Sequence, residues 1–362
     1  MSGLDGVIAA ETTLSDVDGE AGRLIIRGRS LDELVAGYRY EDVLALLWET
    51  LFPECNGADR LAAALGEARA RVFNHLRAAD GQLLALPPVD AIRSLISRLE
   101  DGSDLTTALN LVAASAVFTP GVLRLATGRD AIRPDPALAH AADMLRMLRG
   151  RTAGPEQVVA LDRYLVSAVD HGLNASTFTA RVIASTRSGL TSALVGALCA
   201  LKGPLHGGAP GPVLDMLDAI GQPQAAGPWL EAALARGERL MGFGHRIYRV
   251  RDPRADAIKG TLDMLTQAGG LDPVRLRLAE AVERAALDLL SRHKPQRPLL
   301  TNLEFYTALL LEALGFPREA FTCVFAAGRA GGWVAHAREQ VLRGRLIRPL
   351  SRYVGPWPSA AA

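Results

Sequence analysis

The stretch PVRLRLAEAVERAALDLLSRH, from Pro273 to His293, decides the fold class. Its apolar residues recur at helical spacing, and a proline stands where the first helical residue would lie. YEDVLALLWETLF (Tyr40 to Phe52) and VDAIRSLISRLE (Val89 to Glu100) repeat that spacing. Alanine, leucine and arginine dominate the chain and aromatic residues make up only 5%, so we expect an all-α protein. Only VIAAETTLSD and GRLIIRG, near the start, look extended, and they predict a short β-hairpin at most.

The overall composition argues against several classes of partner. Forty basic and thirty-nine acidic side chains leave a net charge of +1 over 362 residues, so no global field attracts nucleic acid or an anionic membrane. Cys55, Cys199 and Cys323 lack the spacing of a disulfide scaffold or a cysteine-rich metal site. The chain shows neither a leader with a basic and then an apolar part nor a later stretch of about 18 apolar residues. We therefore expect a soluble cytoplasmic protein.

Three segments rich in proline, glycine and polar residues predict long loops. They are TGRDAIRPDPA (residues 127–137), KGPLHGGAPGP (202–212) and HKPQRPLLTN (293–302). The second and third flank about 90 residues, enough for a smaller lobe that the chain enters and leaves once.

The seven histidines fall into two groups. Four lie in helix-like or charged stretches, where we expect a surface or capping role: His75, His140, His293 and His336. The other three adjoin glycine or a polar turn, where backbone can approach a ligand closely: His171 in VDHGLNASTF, His206 in PLHGGAPGPV and His245 in GFGHRI. Taken singly, each of these three could equally be structural.

His206 has a physical advantage as a hydrogen-bond donor. PVLDMLDAIG reads as a helix beginning near Pro212, and the positive end of a helix dipole opposes imidazolium, so a neutral ring is favoured beside it. A neutral imidazole can donate one hydrogen bond to a developing enolate oxygen. The alternative is a glycine-rich loop that only tightens the entry to the helix.

The segment GFGHRIYRVRDPRA, residues 242–255, favours a small polyanionic ligand. Four arginines surround His245, namely Arg246, Arg249, Arg251 and Arg254, and the planar guanidinium suits carboxylates and phosphates. A solvated basic helix face explains the same residues. The segment is a poor phosphate motif because it lacks the third glycine of GxGxxG. The chain also lacks the GxSxG and HExxH patterns, which weakens hydrolase and metalloenzyme interpretations.

Three further residues could carry chemistry. Glu304 lies among apolar residues in TNLEFY, where desolvation would raise its pKa and make it a better base, although an acidic residue at an exposed helix start is the alternative. Arg329 lies among small residues in FAAGRAGGW, and Arg348 precedes a proline in RPLSRYVGP. Either arginine could be an ordinary surface residue.

In order and spacing these pieces resemble the citrate synthases, specifically the shorter bacterial and archaeal type that also includes 2-methylcitrate synthases. The similarity runs nearly from end to end, through GLDGVIAAETTLSDVDGEAGRLIIRG, DHGLNASTFTARVIAST, LKGPLHGGAPGPVLDML, GFGHRIYRVRDPRA, FAAGRAGGWVAHAREQ and LIRPLSRYVGP. The resemblance implies an almost wholly α-helical homodimer. Each subunit would have a large dimerisation domain of residues 1–204 and 312–362 and a small domain of residues 205–311 that closes over substrate.

The resemblance also implies a reaction and residue roles. Acetyl-CoA would condense with oxaloacetate, and the thioester would then be hydrolysed, without a metal or an organic cofactor. His206 would donate to the thioester carbonyl, and His245 would polarise the ketone of oxaloacetate. Oxaloacetate would be held by His171, Asn174, Arg254, Arg329 and, from the partner subunit, Arg348. Gly242, Gly244 and Arg249 would lie near CoA.

The base position departs from the family pattern. The motif usually reads N-V-D-F-Y, with aspartate removing the methyl proton, and here it reads Asn302-Leu303-Glu304-Phe305-Tyr306. The extra methylene moves the carboxylate by roughly 1.5 Å, which would cost about 100-fold in rate unless the backbone compensates, as we expect it to. Two alternatives follow: a 2-methylcitrate synthase using propionyl-CoA, since one methylene is worth only ~1 to 3 kcal/mol of discrimination, and a non-catalytic paralogue that binds a CoA thioester or a dicarboxylate.

Overall fold

The computed structural model describes residues 4, 6–55, 57–206, 210–245, 247–296 and 298–357. Within these ranges the regular secondary structure is almost wholly helical, which confirms the all-α prediction. The α-helices, numbered α1 to α16 in chain order, are Leu31–Gly37, Tyr40–Trp48, Ala58–Val72, Gly81–Leu84, Pro88–Ile96, Leu105–Ala126, His140–Arg149, Pro155–Ala168, Ala175–Ser185, Leu190–Leu201, Pro210–Ile220, Ala226–Ala235, Pro253–Gln267, Pro273–His293, Leu303–Ala313 and Phe321–Arg343. Short 3-10 turns are Pro53–Cys55, Phe73–Ala78, Pro223–Ala225 and Arg318–Ala320.

Helix α14 has the bounds that its sequence predicts. Asp272 caps it by accepting from the backbone N–H of Val274 at 2.8 Å, and Pro273 takes the first helical position. The predictions for α2 and α5 were too long, because these helices end at Trp48 and Ile96. Their apolar patterns continue into turns, in which Leu51, Phe52 and Leu99 are buried while most of the polar neighbours are exposed.

The extended N-terminal part forms three short antiparallel strands. Strands β1 (Ser15–Asp18) and β2 (Arg23–Ile26) make a hairpin in which β2 lies within GRLIIRG but β1 begins only at the end of VIAAETTLSD, and β3 (Arg29–Ser30) adds a two-residue third strand. Ser30 then caps α1 by accepting from the N–H of Glu33. The sheet is therefore a small appendage to the helical fold.

Helix α6, Leu105–Ala126, contradicts the expectation that the chain lacks a stretch of about 18 apolar residues. An 18-residue window within it has a mean hydropathy of 1.5, and in the described part of the chain it is the one helix long and apolar enough to cross a membrane. Of that window, 83% is buried inside the fold. The helix packs against α3, α5, α7 and α16, so it is a central helix of the core.

The central helices bring several ends and loops together. Helix α8 packs against α13 and α16, α9 against α16, and α13 against α15. Consequently the loop between α8 and α9, the segment before α13 and the start of α15 lie close together. The predicted domain division stays a prediction; its first boundary falls in the turn after α10, and its second falls inside α15.

Candidate functional site

His245 is oriented by the backbone that follows it. Its Nδ1 accepts from the backbone N–H groups of Ile247 and Tyr248 at 3.1 and 3.0 Å. That arrangement requires an unprotonated Nδ1 and therefore puts the proton of the neutral ring on Nε2. Burial, followed by the nearby Arg254 guanidinium, lowers the pKa of His245 to about 4. His245 is thus a neutral donor at physiological pH.

Arg254 lies next to that donor and is held by a buried carboxylate. Its Nη2 is 3.4 Å from His245 Nε2, while its Nε and Nη2 donate to Asp252 at 3.0 and 2.8 Å. Burial alone would raise the pKa of Asp252, but the Arg254 charge brings it below the usual value. Since both Nε2–H and Nη2–H are donors, the two groups are arranged to share an oxygen acceptor rather than to bond each other.

His171 lies in the loop between α8 and α9 and completes this group. Its Nε2 is 3.1 Å from Tyr248 Oη, and its ring centroid is 5.5 Å from that of His245. Burial, then the charges of Arg254 and Arg329, hold the pKa of His171 well below its ordinary value. Tyr248, which packs on both histidines, escaped the sequence reasoning, although it stands in the quoted segment three residues after His245.

Arg329 supplies a second buried guanidinium from the middle of α16. It is 2% exposed, its Nε donates to the carbonyl of Ala168, and it lies over the Phe325 ring at 4.9 Å. Within the described ranges this is the only hydrogen bond of its side chain. Burial lowers its pKa to about 10, against the opposing effect of Asp170, so it stays charged and can accommodate a carboxylate.

The small residues around Arg329 allow α16 to approach the C-terminal end of α8. A Cβ on Gly332 would lie 2.1 Å from the carbonyl oxygen of Val169, and one on Gly328 would lie 3.0 Å from Ala168 Cβ. Both glycines therefore serve close packing, as the composition of FAAGRAGGW suggested.

His206 contacts the N-terminus of α9. The backbone N–H of Ser176, the second residue of α9, donates to His206 Nε2 at 3.2 Å, and Ser176 Oγ is 2.8 Å from the same nitrogen. A backbone donor to Nε2 leaves the ring proton on Nδ1. Helix α11 begins at Pro210, and residues 207–209, which connect it to His206, lie outside the described ranges, so the predicted effect of that helix on the His206 ring stays a prediction.

Asn174 is the N-cap of α9. Its Oδ1 accepts from the N–H of Thr177 at 3.1 Å and from Ser176 Oγ at 2.8 Å, and its Nδ2 donates to the carbonyl of Gly172 at 3.2 Å. Trp333 Nε1 donates to Ser176 Oγ at 3.1 Å. These contacts fix the helix end that orients His206, which is a supporting task distinct from the ligand contact expected of Asn174.

Glu304 occupies the first turn of α15 and is only partly exposed. Burial raises its pKa to about 7, although Arg254 and Arg239 act in the opposite direction. No hydrogen bond or ion pair engages its carboxylate within the described residues. The helix start is tied to the His245 segment, since Asp252 accepts from the N–H of Leu303 at 3.2 Å and Asn302 Nδ2 donates to the carbonyl of Gly244 at 2.9 Å.

Gly242 and Gly244 hold the His245 segment against the start of α15. Both have φ of +85°, and a Cβ would lie 2.8 Å from Phe305 Cβ in the first case and 2.8 Å from Leu299 Cδ2 in the second. The Gly242 carbonyl accepts from Asn302 and the Gly244 N–H donates to Leu300. A cavity of about 250 Å³ lies beside this segment, lined by Pro212, Asp215, Met216, Trp229, Glu238, Arg239, Leu240 and Met241. Arg249 is exposed.

Arg348 does not join the site within one protomer. It is exposed in the extended segment after α16, where Leu350, Val354 and Trp357 are also 77% or more exposed. Its predicted place in the partner's site stays a prediction.

Two histidines expected at the surface are buried. His140 and His336 are both fully buried. His140 stacks on Tyr40 with centroids 5.3 Å apart, and His336 bonds the Asp170 carboxylate. A position in a helix did not predict exposure of these histidines, because α7 and α16 are surrounded by other helices. In the described part of the chain, no three His, Cys, Asp or Glu side chains form a group that could hold a metal ion.

Comparison with known proteins adds independent evidence. A family model described as citrate synthase, C-terminal domain, matches residues 3–350. The citrate synthase of Haloferax volcanii is 38% identical over 98% of this chain and 95% of its own length, and the 2-methylcitrate synthase of Mycobacterium tuberculosis is 35% identical over 98% and 90%. The solved ternary complex of Thermoplasma acidophilum citrate synthase with carboxymethyl coenzyme A and oxaloacetate is similar at a TM-score of 0.85, with 27% identity over 99% of this chain and 96% of that one.

Proposed function

The chain belongs to the citrate synthase family, and from that premise we propose that it condenses acetyl-CoA with oxaloacetate to give citrate and free CoA. The main support is that five groups lie close together around the loop before α9 and the starts of α13 and α15. They are two buried arginines (Arg254 and Arg329), two neutral histidines (His171 and His245) and the Glu304 carboxylate, whose pKa is raised. The matched relatives are enzymes, so a binding-only role is not favoured.

Oxaloacetate binding uses the buried cations. Arg254 and Arg329 bind its carboxylates, and His171 supplies a further neutral polar group between them. Arg254 is partly neutralised by Asp252, whereas Arg329 has no carboxylate within 4.0 Å among the described residues, so a dicarboxylate balances the charge of the pocket. His245 Nε2–H donates to the ketone oxygen and makes the ketone carbon more electrophilic.

Enolate formation uses Glu304 and His206 together. The Glu304 carboxylate takes a proton from the acetyl methyl group, and the thioester oxygen, which gains the charge, accepts from His206 Nδ1–H. The enolate carbon then forms a bond to the ketone carbon of oxaloacetate, whose oxygen takes up the charge beside His245. Water finally attacks the thioester carbonyl, releasing the CoA thiol and a new carboxylate.

The direct test is release of CoA thiol from acetyl-CoA with and without oxaloacetate. We expect release only when both are present, with citrate as the product. A chain that bound both substrates but released no thiol would contradict the proposal.

A second candidate is a 2-methylcitrate synthase, favoured by the 35% identity to such an enzyme. Propionyl-CoA differs by one methylene, so a hydrophobic contact can discriminate by only ~10- to 200-fold. Comparing kcat/KM for acetyl-CoA and propionyl-CoA decides between the two, and we expect the higher value with acetyl-CoA. Assembly as a homodimer and a cytoplasmic location are part of the same proposal.

A further inference from the structure

Behind the site, three buried polar side chains form a chain that no catalytic step uses. His336, on α16, is fully buried, and its Nε2 is 3.1 and 3.2 Å from the two carboxylate oxygens of Asp170. On the other side of the ring, Arg181 of α9 donates to His336 Nδ1 from Nε at 3.0 Å and from Nη2 at 2.9 Å. Arg181 is 1% exposed. The order is therefore Arg181, His336, Asp170.

The donors fix the tautomer of His336. A guanidinium can only donate, so Nδ1 must be an unprotonated acceptor and the ring proton must lie on Nε2, where it is donated to Asp170. A second proton on Nδ1 would face the Arg181 charge and lose both hydrogen bonds. His336 is thus a neutral connector that presents a fixed donor to a buried carboxylate.

Asp170 stands between this chain and the substrate pocket. It immediately precedes His171, and its charge is the main influence that keeps the guanidinium of Arg329 protonated despite burial. Both Asp170 and Arg329 are almost completely buried, so neither charge is screened by water, and the position of one affects the other. A tilt of Asp170 would also move the backbone that carries His171.

From these contacts we infer that His336 and Arg181 are positioning residues for the dicarboxylate pocket: they hold Asp170 in the orientation that supports Arg329 and His171. The inference rests on the proposed function, because it assigns the pocket to oxaloacetate. It concerns binding of the dicarboxylate and not proton transfer, since none of the three residues reaches Glu304 or His206 by a hydrogen bond in the described ranges.

His336 is the better residue to test. Arg181 also bonds Gln340 at 3.0 Å and Glu339, which in turn hold the carbonyl of Arg345 and the N–H of Thr13. Replacing Arg181 would therefore loosen both ends of the chain. In the described part of the chain, the His336 ring hydrogen-bonds only Arg181 and Asp170, and these two contacts can be removed one at a time.

Two amide variants separate the contacts. In His336→Gln the amide nitrogen can take the place of Nε2 and donate to Asp170, whereas in His336→Asn the shorter side chain can accept from Arg181 but falls short of Asp170. We expect His336→Asn to raise the KM and the calorimetric Kd for oxaloacetate about tenfold, the usual size for loss of a hydrogen bond to a charged group. His336→Gln keeps the donor to Asp170 but loses the contact with Arg181, so its KM and Kd should rise by a smaller factor, about twofold to threefold, and kcat at saturating substrate should be similar in all three.

The readouts distinguish positioning from plain structural support. A purely structural role would lower the unfolding temperature of both variants and leave the Kd for oxaloacetate equal in all three proteins, and that result would overturn the inference. If wild type binds oxaloacetate but releases no thiol, the proposed reaction fails while the Kd comparison still decides the positioning role. If wild type does not bind oxaloacetate, both fail.

Discussion

At the residue scale, Glu304 combines a base's reactivity with a cost to stability. Its carboxylate is desolvated and lies in the field of Arg254, and burial prevails, so its pKa is about 7. A base with a pKa near the working pH is both largely ionised and strong enough to take a proton. The raised pKa of Glu304 predicts that activity rises with pH while the stability of the fold decreases with pH.

Activity should rise with pH through the Glu304 pKa. Because the base acts in its ionised form, we expect kcat/KM for acetyl-CoA, measured at saturating oxaloacetate from pH 5.5 to 9, to fall below about pH 7. The residual activity of Glu304→Gln should lack this limb. A wild-type kcat/KM that stays level from pH 9 down to pH 5.5 would show that Glu304 is not desolvated in the working enzyme.

Stability should show the reverse trend. The pKa of Glu304 is higher folded than unfolded, so its favourable contribution is fully present below about pH 4.5 and is lost as pH rises through about 7. Glutamine cannot ionise, so at pH 8 we expect Glu304→Gln to be more stable than wild type by roughly 1 to 3 kcal/mol in urea unfolding, with the difference vanishing at pH 4.5. Equal stability at pH 8 would contradict the desolvation.

The sequence could predict which residues lie together only where they are close in the chain. Arg254 and His245 stand nine residues apart in one quoted segment, and the structure brings them to 3.4 Å. Asp170 and His336 could not be paired from sequence, since 166 positions separate them and only the packing of α16 on the loop before α9 joins them.

At the element scale, helix ends decide where the reactive groups lie. The start of α14 could be read from Asp272 and Pro273, because capping is local in sequence. The contact of His206 with the start of α9 could not, since it joins residues 30 positions apart and depends on how α9 and α10 pack.

The packing of the His245 segment against the start of α15 should be disrupted by a larger residue at Gly242. An added methyl would meet Phe305 Cβ at 2.8 Å on a backbone with φ of +85°, so we expect Gly242→Ala to cost at least about 2 kcal/mol and to reduce kcat by displacing Glu304. Gly260→Ala is the matched control, because that exposed position in α13 has open space and normal helical backbone. It should gain up to about 1 kcal/mol, and a Gly242→Ala variant as stable and active as this control would refute the role.

At the scale of the whole molecule, the exposed segment carrying Arg348 points to assembly. A single protomer leaves Arg348 and its apolar neighbours in solvent, as expected if they cover a second copy. Arg348→Ala and Glu304→Gln dimers should each be nearly inactive, but mixed and reassorted they should recover about a quarter of wild-type activity, because half of the dimers then contain one complete site. Arg348 acting within its own subunit would give no recovery.

The domain division belongs to this scale as well. The predicted boundaries stay predictions: loop composition placed the first in the turn after α10, and the second falls within α15, a helix that is apolar on most sides and gives no break in pattern. Global arrangement depends on contacts that the linear sequence does not display.

We propose that Glu304 removes the acetyl proton in a pocket filled by oxaloacetate. The most direct measurement is oxaloacetate-dependent thiol release from acetyl-CoA by wild type, Glu304→Asp and Glu304→Gln. We expect Glu304→Gln to lose at least about 100-fold in kcat with an unchanged Kd for oxaloacetate, and Glu304→Asp to fall between the two. Wild-type turnover in Glu304→Gln would contradict the claim.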